Sequence, residues 1–369
     1  MRTPITSVPS IINNIAATLN VKPTNLGILT TLPLLCFGIF APLVPVISHR
    51  IGNEWTITLA TALLFVGSYL RVVNEPMLFI GTLLTGLAIT FINVLLPALI
   101  TDNMPARIGF MTSLYTLSMT FFSALGAGLS SPIAQKTSWQ FVISVLSLIA
   151  LVTFVLWLPN LRYNHRDTVN ATTKHQSPWS NKNAWLILGY FGMSSLIFYT
   201  LVAWLPTMAI NAGLSANTAS LLAGLFQLAS VPPSFFLPMM AVKRENRTGL
   251  IITAAVATFV GVVMLLFPIN SVIYFVIVNI ILGSATAATF ALTMTLYGLK
   301  TKNPTQTGDL SGMSQFGGYL IAAIGPVLTG FLQSLFHSWM MSLTFMLVVI
   351  VCFAICGAFS EKKPFIFDD

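Results

Sequence analysis

The chain has 369 residues, of which 56% are hydrophobic and only 7% charged, with a mean hydropathy of +0.86. Soluble domains are about one-quarter charged, so this composition excludes a soluble globular protein and describes an all-α polytopic membrane protein. The net charge of +8, which in a soluble chain would suggest a nucleic-acid partner, reads here as a topology signal.

The chain opens MRTPITSVPSII, and after Arg2 no charged residue occurs until Lys22. Downstream, apolar runs of the roughly 20 residues needed to cross a bilayer cover 25–48, 54–73, 76–101, 107–134, 138–158, 184–210, 215–241, 248–268, 270–298, 309–335 and 338–359. That is eleven full spans plus a partial one before Asn20. If successive spans alternate sides, thirteen basic residues, from Arg50 to Lys363, share one side, and Lys22, Arg71 and Lys136 the other. The positive-inside rule makes the rich side cytoplasmic. The C-terminus is then cytoplasmic, in a multi-pass protein of the cell membrane, and the first segment runs outward. From Arg2 to Ile15 is about 20 Å of helix against a hydrocarbon core of about 30 Å. Arg2 therefore begins inside the membrane and half of helix 1 is missing, through a misassigned start or a truncation.

The polar stretch 159–183 reads as a cytoplasmic linker. It separates an N-terminal bundle, 1–158, with a truncated helix 1 and helices 2–6, from a six-helix bundle, 184–359, and a cytoplasmic tail, 360–369. SALGAGLSSPI at 123–133 is similar to AAIGPVLTGFL at 322–332, pairing Gly126 with Gly325. Small residues let helices approach, and repeated six-helix halves are a transporter architecture.

Several stretches carry a family resemblance: RTPITSV at 2–8, NLGILTTLPLLCFGIFAPL at 25–43, HRIG at 49–52, NVLLPALI at 93–100, YTLVAWLP at 199–206, LFQLAS at 225–230 and LSGMSQFGGYLIAAIGP at 310–326. In these the chain resembles the major facilitator superfamily and, within it, the cyanate/2-nitroimidazole transporter (CynX/NimT) family. The resemblance implies a major facilitator fold of two six-helix bundles and cyanate-like anions or nitroimidazole-like heteroaromatics as solutes. VISHRIG lacks the acidic residue common at this turn in the superfamily, so the turn must be held by other contacts.

Polar side chains at membrane depth are costly and so mark function or a structural partner. Arg2 is a candidate anion ligand in the central cavity or a structural contact, and the resemblance supports the first, because the family's helix 1 carries an arginine there. Asn93 lines the cavity or bridges helices; Gln227 and Gln315 lie near mid-span. Tyr199 and Trp204 offer aromatic walls to a planar solute or simply pack, as do Tyr115 and Tyr319. Arg71, at a span end, reads as snorkelling to the headgroups. Glu54, Glu75, Asp102 and Asp309 all stand at span ends, and His49 and His337 in turns, so no carboxylate relay is visible in mid-span. Cys36, Cys352 and Cys356 form neither a disulfide framework nor a metal pattern. No phosphate-cradling loop is present, and Gly317-Gly318 reads as a packing or hinge pair.

The expected function is a secondary transporter, monomeric in the bilayer, moving a small anionic or planar polar solute by alternating access. It needs no cofactor, metal or nucleic acid and is no enzyme. The alternatives are a broad-specificity drug exporter, disfavoured because helix 5 lacks a Gly-Pro-rich signature, and a non-transporting membrane sensor or inactive truncated carrier. The charge asymmetry predicts that a cysteine at Asn246 reacts only with reagent admitted to the cytoplasm and one at Asn211 from outside. Labelling of position 246 in intact cells would reverse the orientation.

Overall fold

The computed structural model describes residues 3–19, 26, 28–164 and 177–367. Arg2, the Lys22 turn and the centre of the 159–183 stretch lie outside them. The helices are α1 Thr3–Thr6, α2 Val8–Leu19, α3 Ile28–Phe40, α4 Leu43–Ile51, α5 Asn53–Leu70, α6 Glu75–Asn103, α7 Ile108–Lys136 and α8 Trp139–Trp157. They are followed by α9 Lys182–Asn211, α10 Ala216–Ala229, α11 Val231–Val242, α12 Thr248–Leu266, α13 Val272–Leu299, α14 Pro304–Phe336 and α15 Met340–Ser360. Among the described residues no strand occurs. Nine helical stretches there are long and apolar enough to cross a membrane, ten if α3 and α4, bent by 61° at Ala41-Pro42, form one span. The predicted span 54–73 becomes α5, an 18-residue helix that opens on the polar pair Asn53-Glu54.

The chain divides into two compact units, residues 1–99 with 121–175 and residues 100–120 with 176–369. In the first, helix 1 breaks at Ser7, two residues before Pro9, which has no N–H to continue the ladder. The helix is then held from the side: Ser10 Oγ donates to Ala127 O at 2.7 Å and Thr6 Oγ1 to Ser123 O at 3.3 Å. Trp139 Nε1 donates to Thr18 Oγ1 at 3.1 Å. Val8, Ile11 and Ile15 bury against Leu78, Trp139, Val142 and Ile143. The α4–α5 turn needs Gly52, at φ +94°, and is clamped by a neutral side chain. Asn164 Nδ2 donates to Ile51 O at 3.1 Å, and its Oδ1 accepts from Trp55 N at 3.3 Å.

In the second unit α14 lies along α9 through glycines. A Cβ on Gly192 would sit 3.0 Å from Gly318 Cα, and one on Gly325 would sit 2.9 Å from Leu196 O. The two glycines paired by the internal symmetry thus each seat another helix of their own unit, Gly126 against Thr3 of α1 and Gly325 against Leu196 and Thr200 of α9. Residues 100–120 join this unit through Gly298, which abuts Thr101 and Ile108, and through Thr116, whose hydroxyl donates to Ser234 O.

The predicted span 215–241 is one membrane-length stretch, Thr218–Val242, interrupted at Ser230 between α10 and α11. Pro232 and Pro233 remove the N–H groups that Leu228 O and Ala229 O would receive. The Ser230 N–H turns back to Gln227 O and Leu228 O, the Ser230 hydroxyl donates to Gln227 O, and Ser284 Oγ reaches across from α13 to Ala229 O at 3.0 Å. That reach depends on Gly283, whose missing Cβ would strike Phe226 O.

The residues after α15 fold back under the unit. Ile366 N donates to Lys300 O at 2.9 Å and Asn181 Nδ2 to Ile366 O at 2.6 Å, leaving Ile366 buried. Lys300 Nζ meets Glu361 Oε1 at 2.9 Å and Lys363 O at 2.7 Å, while Arg247 N reaches Glu361 Oε2 at 2.8 Å. Burial pushes the Lys300 ammonium below the ordinary lysine value, and Glu361 offsets part of that shift.

Two outcomes follow. Gly283→Ala forces a methyl against the Phe226 carbonyl and lowers stability by roughly 1–3 kcal/mol, whereas Gly224→Ala, which meets nothing within 4 Å, leaves the melting temperature near wild type. Glu361→Gln strands the buried Lys300 charge at a cost of roughly 3–5 kcal/mol near neutral pH. Folded Lys300 releases its proton at lower pH than the unfolded residue, so the unfolded chain binds more protons between the two values and stability rises with pH there. Melting of Glu361→Gln should therefore recover as pH rises towards 10.5, the ordinary lysine value. A pH-independent deficit counts against the ion pair.

Candidate functional site

One face of α14 carries Ser311, Gln315 and Tyr319 at one-turn spacing. Gln315, 1% exposed, donates from Nε2 to Ser311 Oγ at 2.9 Å. Tyr319, 2% exposed, presents its ring edge-to-face to Phe191 at 5.3 Å and lies 6.3 Å from the Tyr199 ring. Phe191 also meets Tyr297 at 6.4 Å and Phe290 at 6.3 Å. The Tyr297 hydroxyl, fully buried in α13, lies beside Ser314 and near Tyr319 and Tyr115. This part of the second unit combines aromatic edges, phenol hydroxyls and a carboxamide, the few oriented polar groups in an apolar wall that small-molecule sites use. It brings together three sequence-predicted residues, Tyr199, Gln315 and Tyr319, because Gly192 and Gly318 let their helices touch.

The other predicted residues fall elsewhere. Trp204 has its indole N–H committed to Pro326 O at 2.8 Å and its ring against Trp339 at 5.5 Å, so it ties α9 to α14 and α15. Gln227 is half-buried beside the break between α10 and α11. Asn93 is buried in α6 of the first unit. Pro97, one turn on, has no N–H for the Asn93 carbonyl, so this position carries a second polar group besides its carboxamide. Arg2 lies outside the described residues.

Arg71 is a correction. It does not snorkel: it is 1% exposed, and its Nη1 donates to Pro4 O at 2.7 Å. Span-end position suggested headgroups, but Gly67 and Gly81 bring α5 and α6 so close that the side chain runs inward between helices. Those two glycines were the available signal. The threonines of α13 have their hydroxyl hydrogens committed, since Thr286, Thr289 and Thr293 each donate to the carbonyl four residues back. Among the described residues no three His, Cys, Asp or Glu side chains come together as a metal site.

Residues 5–326 match the family model of the Major Facilitator Superfamily. The transporter YycB of Bacillus subtilis (strain 168) is 37% identical over 372 residues, covering all of this chain and 92% of that protein. The 2-nitroimidazole transporter of Escherichia coli (strain K12) is 31% identical, covering 97% of this chain and 91% of the relative. The cyanate transport protein CynX of the same organism is 24% identical, covering 95% and 91%. Among solved structures, the proton:xylose symporter XylE matches with a TM-score of 0.75 at 13% identity, over 97% of this chain and 91% of that one. FucP in its outward conformation matches at 0.70 and 11%, over 98% of each chain. A multi-pass helical chain with this fold and these relatives belongs to the Major Facilitator Superfamily and, within it, to the cyanate/2-nitroimidazole transporter family.

Proposed function

We propose that the chain is a secondary transporter of the cell membrane that moves a small anionic or planar polar solute, cyanate-like or nitroimidazole-like, by alternating access. Its C-terminus is cytoplasmic in this reading. The observation that supports the solute class is the Tyr199–Gln315–Tyr319 cluster, which sets aromatic rings and a carboxamide on neighbouring turns. The substrates named for two relatives, 2-nitroimidazole and cyanate, are both small. Arg2 supplies the charge for an anion through two parallel hydrogen bonds, and Asn93 of the first unit and Gln227 of the second are further candidate solute contacts. No mid-span carboxylate enters this reading, since Asp102 and Asp309 stand near helix ends.

Uptake of labelled cyanate and 2-nitroimidazole into proteoliposomes tests this. Gln315→Leu should raise the half-saturating concentration roughly tenfold, the loss of one hydrogen bond, and Trp204→Phe should alter stability more than uptake. Arg2→Ala should abolish uptake of the anion and Arg2→Lys weaken it, because lysine replaces a planar fork with a point charge. Solute binding without any flux would establish a sensor instead.

A further inference from the structure

Arg71 lies just beyond α5, and its guanidinium is only partly used. Nη1 donates to Pro4 O at 2.7 Å, while Nε and Nη2 meet no acceptor among the described residues. No carboxylate pairs with it there. Glu54 is at the opposite end of α5, about 25 Å away by helical rise, and Glu75 is exposed at the start of α6. A buried guanidinium without a counter-charge is expensive enough that a partner is required.

Three hydroxyl residues stand within one helical turn of the contacts that make this junction. Ser68 stands one turn before Arg71, and Ser7 one turn after Pro4. Thr85 stands one turn after Gly81, at which a Cβ would sit 2.7 Å from Arg71 Cγ. A Cβ on Gly67 would in turn sit 2.9 Å from Thr85 N. Ser7, Ser68 and Thr85 are each fully buried, and their hydroxyl oxygens have no partner among the described residues. Buried polar atoms are almost always hydrogen-bonded, so four such side chains near the meeting of α1, α5 and α6 call for a polar partner there.

The donors left unused decide the ligand. With Nη1 taken, Nε–H and an Nη2–H remain as two parallel donors, the fork that matches two oxygens of one planar group. We infer that Arg71, with Ser7, Ser68 and Thr85, binds a small planar oxyanion, a carboxylate or a nitrate-like group, within the first unit. The site belongs to the first unit and the Tyr199–Gln315–Tyr319 cluster to the second, and the assignment does not depend on that cluster.

Thermal melting of the purified full chain tests the assignment, with sodium formate or sodium nitrate titrated against sodium chloride at constant ionic strength. Formate and nitrate should each raise the melting temperature saturably. Arg71→Lys, which keeps the charge and loses the fork, should shift the half-saturating concentration at least tenfold. Ser68→Ala and Thr85→Val should each shift it roughly five- to tenfold, the worth of one hydrogen bond. A flat titration, or an equal response in Arg71→Lys, overturns the site. Should Arg71→Lys fail to fold, the Ser68→Ala/Thr85→Val double variant decides, and an unchanged response in it is equally fatal. Arg2→Ala separates this site from the transport reading: a retained formate response with lost cyanate uptake supports two sites. A formate response lost in Arg2→Ala but intact in Arg71→Lys moves the anion to Arg2 and removes it from Arg71.

Discussion

Inside a bilayer a carbonyl released by a proline has no water to turn to, and must find a donor on the protein. The α10–α11 break shows how much follows from that. Pro233 releases Ala229 O, and the donor is the Ser284 hydroxyl on α13. The hydroxyl arrives only because Gly283 lets α13 approach the Phe226 carbonyl. A glycine, a serine and a proline far apart in sequence thus act as one device, interrupting the span between α10 and α11 while Ala229 O keeps a donor.

Close approach does similar work elsewhere. Lipid chains are as apolar as leucine, so helices in a membrane gain little from simple burial and associate through contact and hydrogen bonding. The α9–α14 seam uses Gly192, Gly317, Gly318 and Gly325 for contact, and this closeness brings Tyr199, Gln315 and Tyr319 together. Where the chain leaves the apolar layer the chemistry changes. At the end of the second unit Glu361 is shared by Lys300 and the Arg247 main chain, in a setting where charge can be paired at helix ends.

The spans were legible in the sequence because apolar length is a local property, and most predicted runs became helices within a few residues. Their breaks were less so. LFQLASVPP satisfies a hydropathy window whether or not the backbone is continuous, and only Pro232-Pro233 hinted at the joint. Aromatic and amide candidates at helical spacing could not be assigned a face: Tyr199 points to Tyr319, while Trp204 is bound to Pro326 O. Arg71 was misplaced because a position near a span end says where the Cα lies, not which way a long side chain runs. The PFIF stretch at 364–367 follows two lysines and read as tail, yet its Ile366 is buried, a consequence of partners from Asn181 and Lys300 that no local pattern reveals. The missing acid of the HRIG turn was legible as an absence, and its replacement by Asn164, more than a hundred residues away, was not.

The pairing of Pro233 with Ser284 also bears on how such a chain drifts. A proline-to-alanine change at 233 returns an N–H to the position facing Ala229 O, after which the hydroxyl at 284 is no longer required. Loss of the serine while the proline remains leaves a bare carbonyl in an apolar setting. The order of two substitutions therefore matters, and the path through loss of the proline is the open one. Lineages that straighten this helix are free to replace Ser284, and those that keep the joint are not.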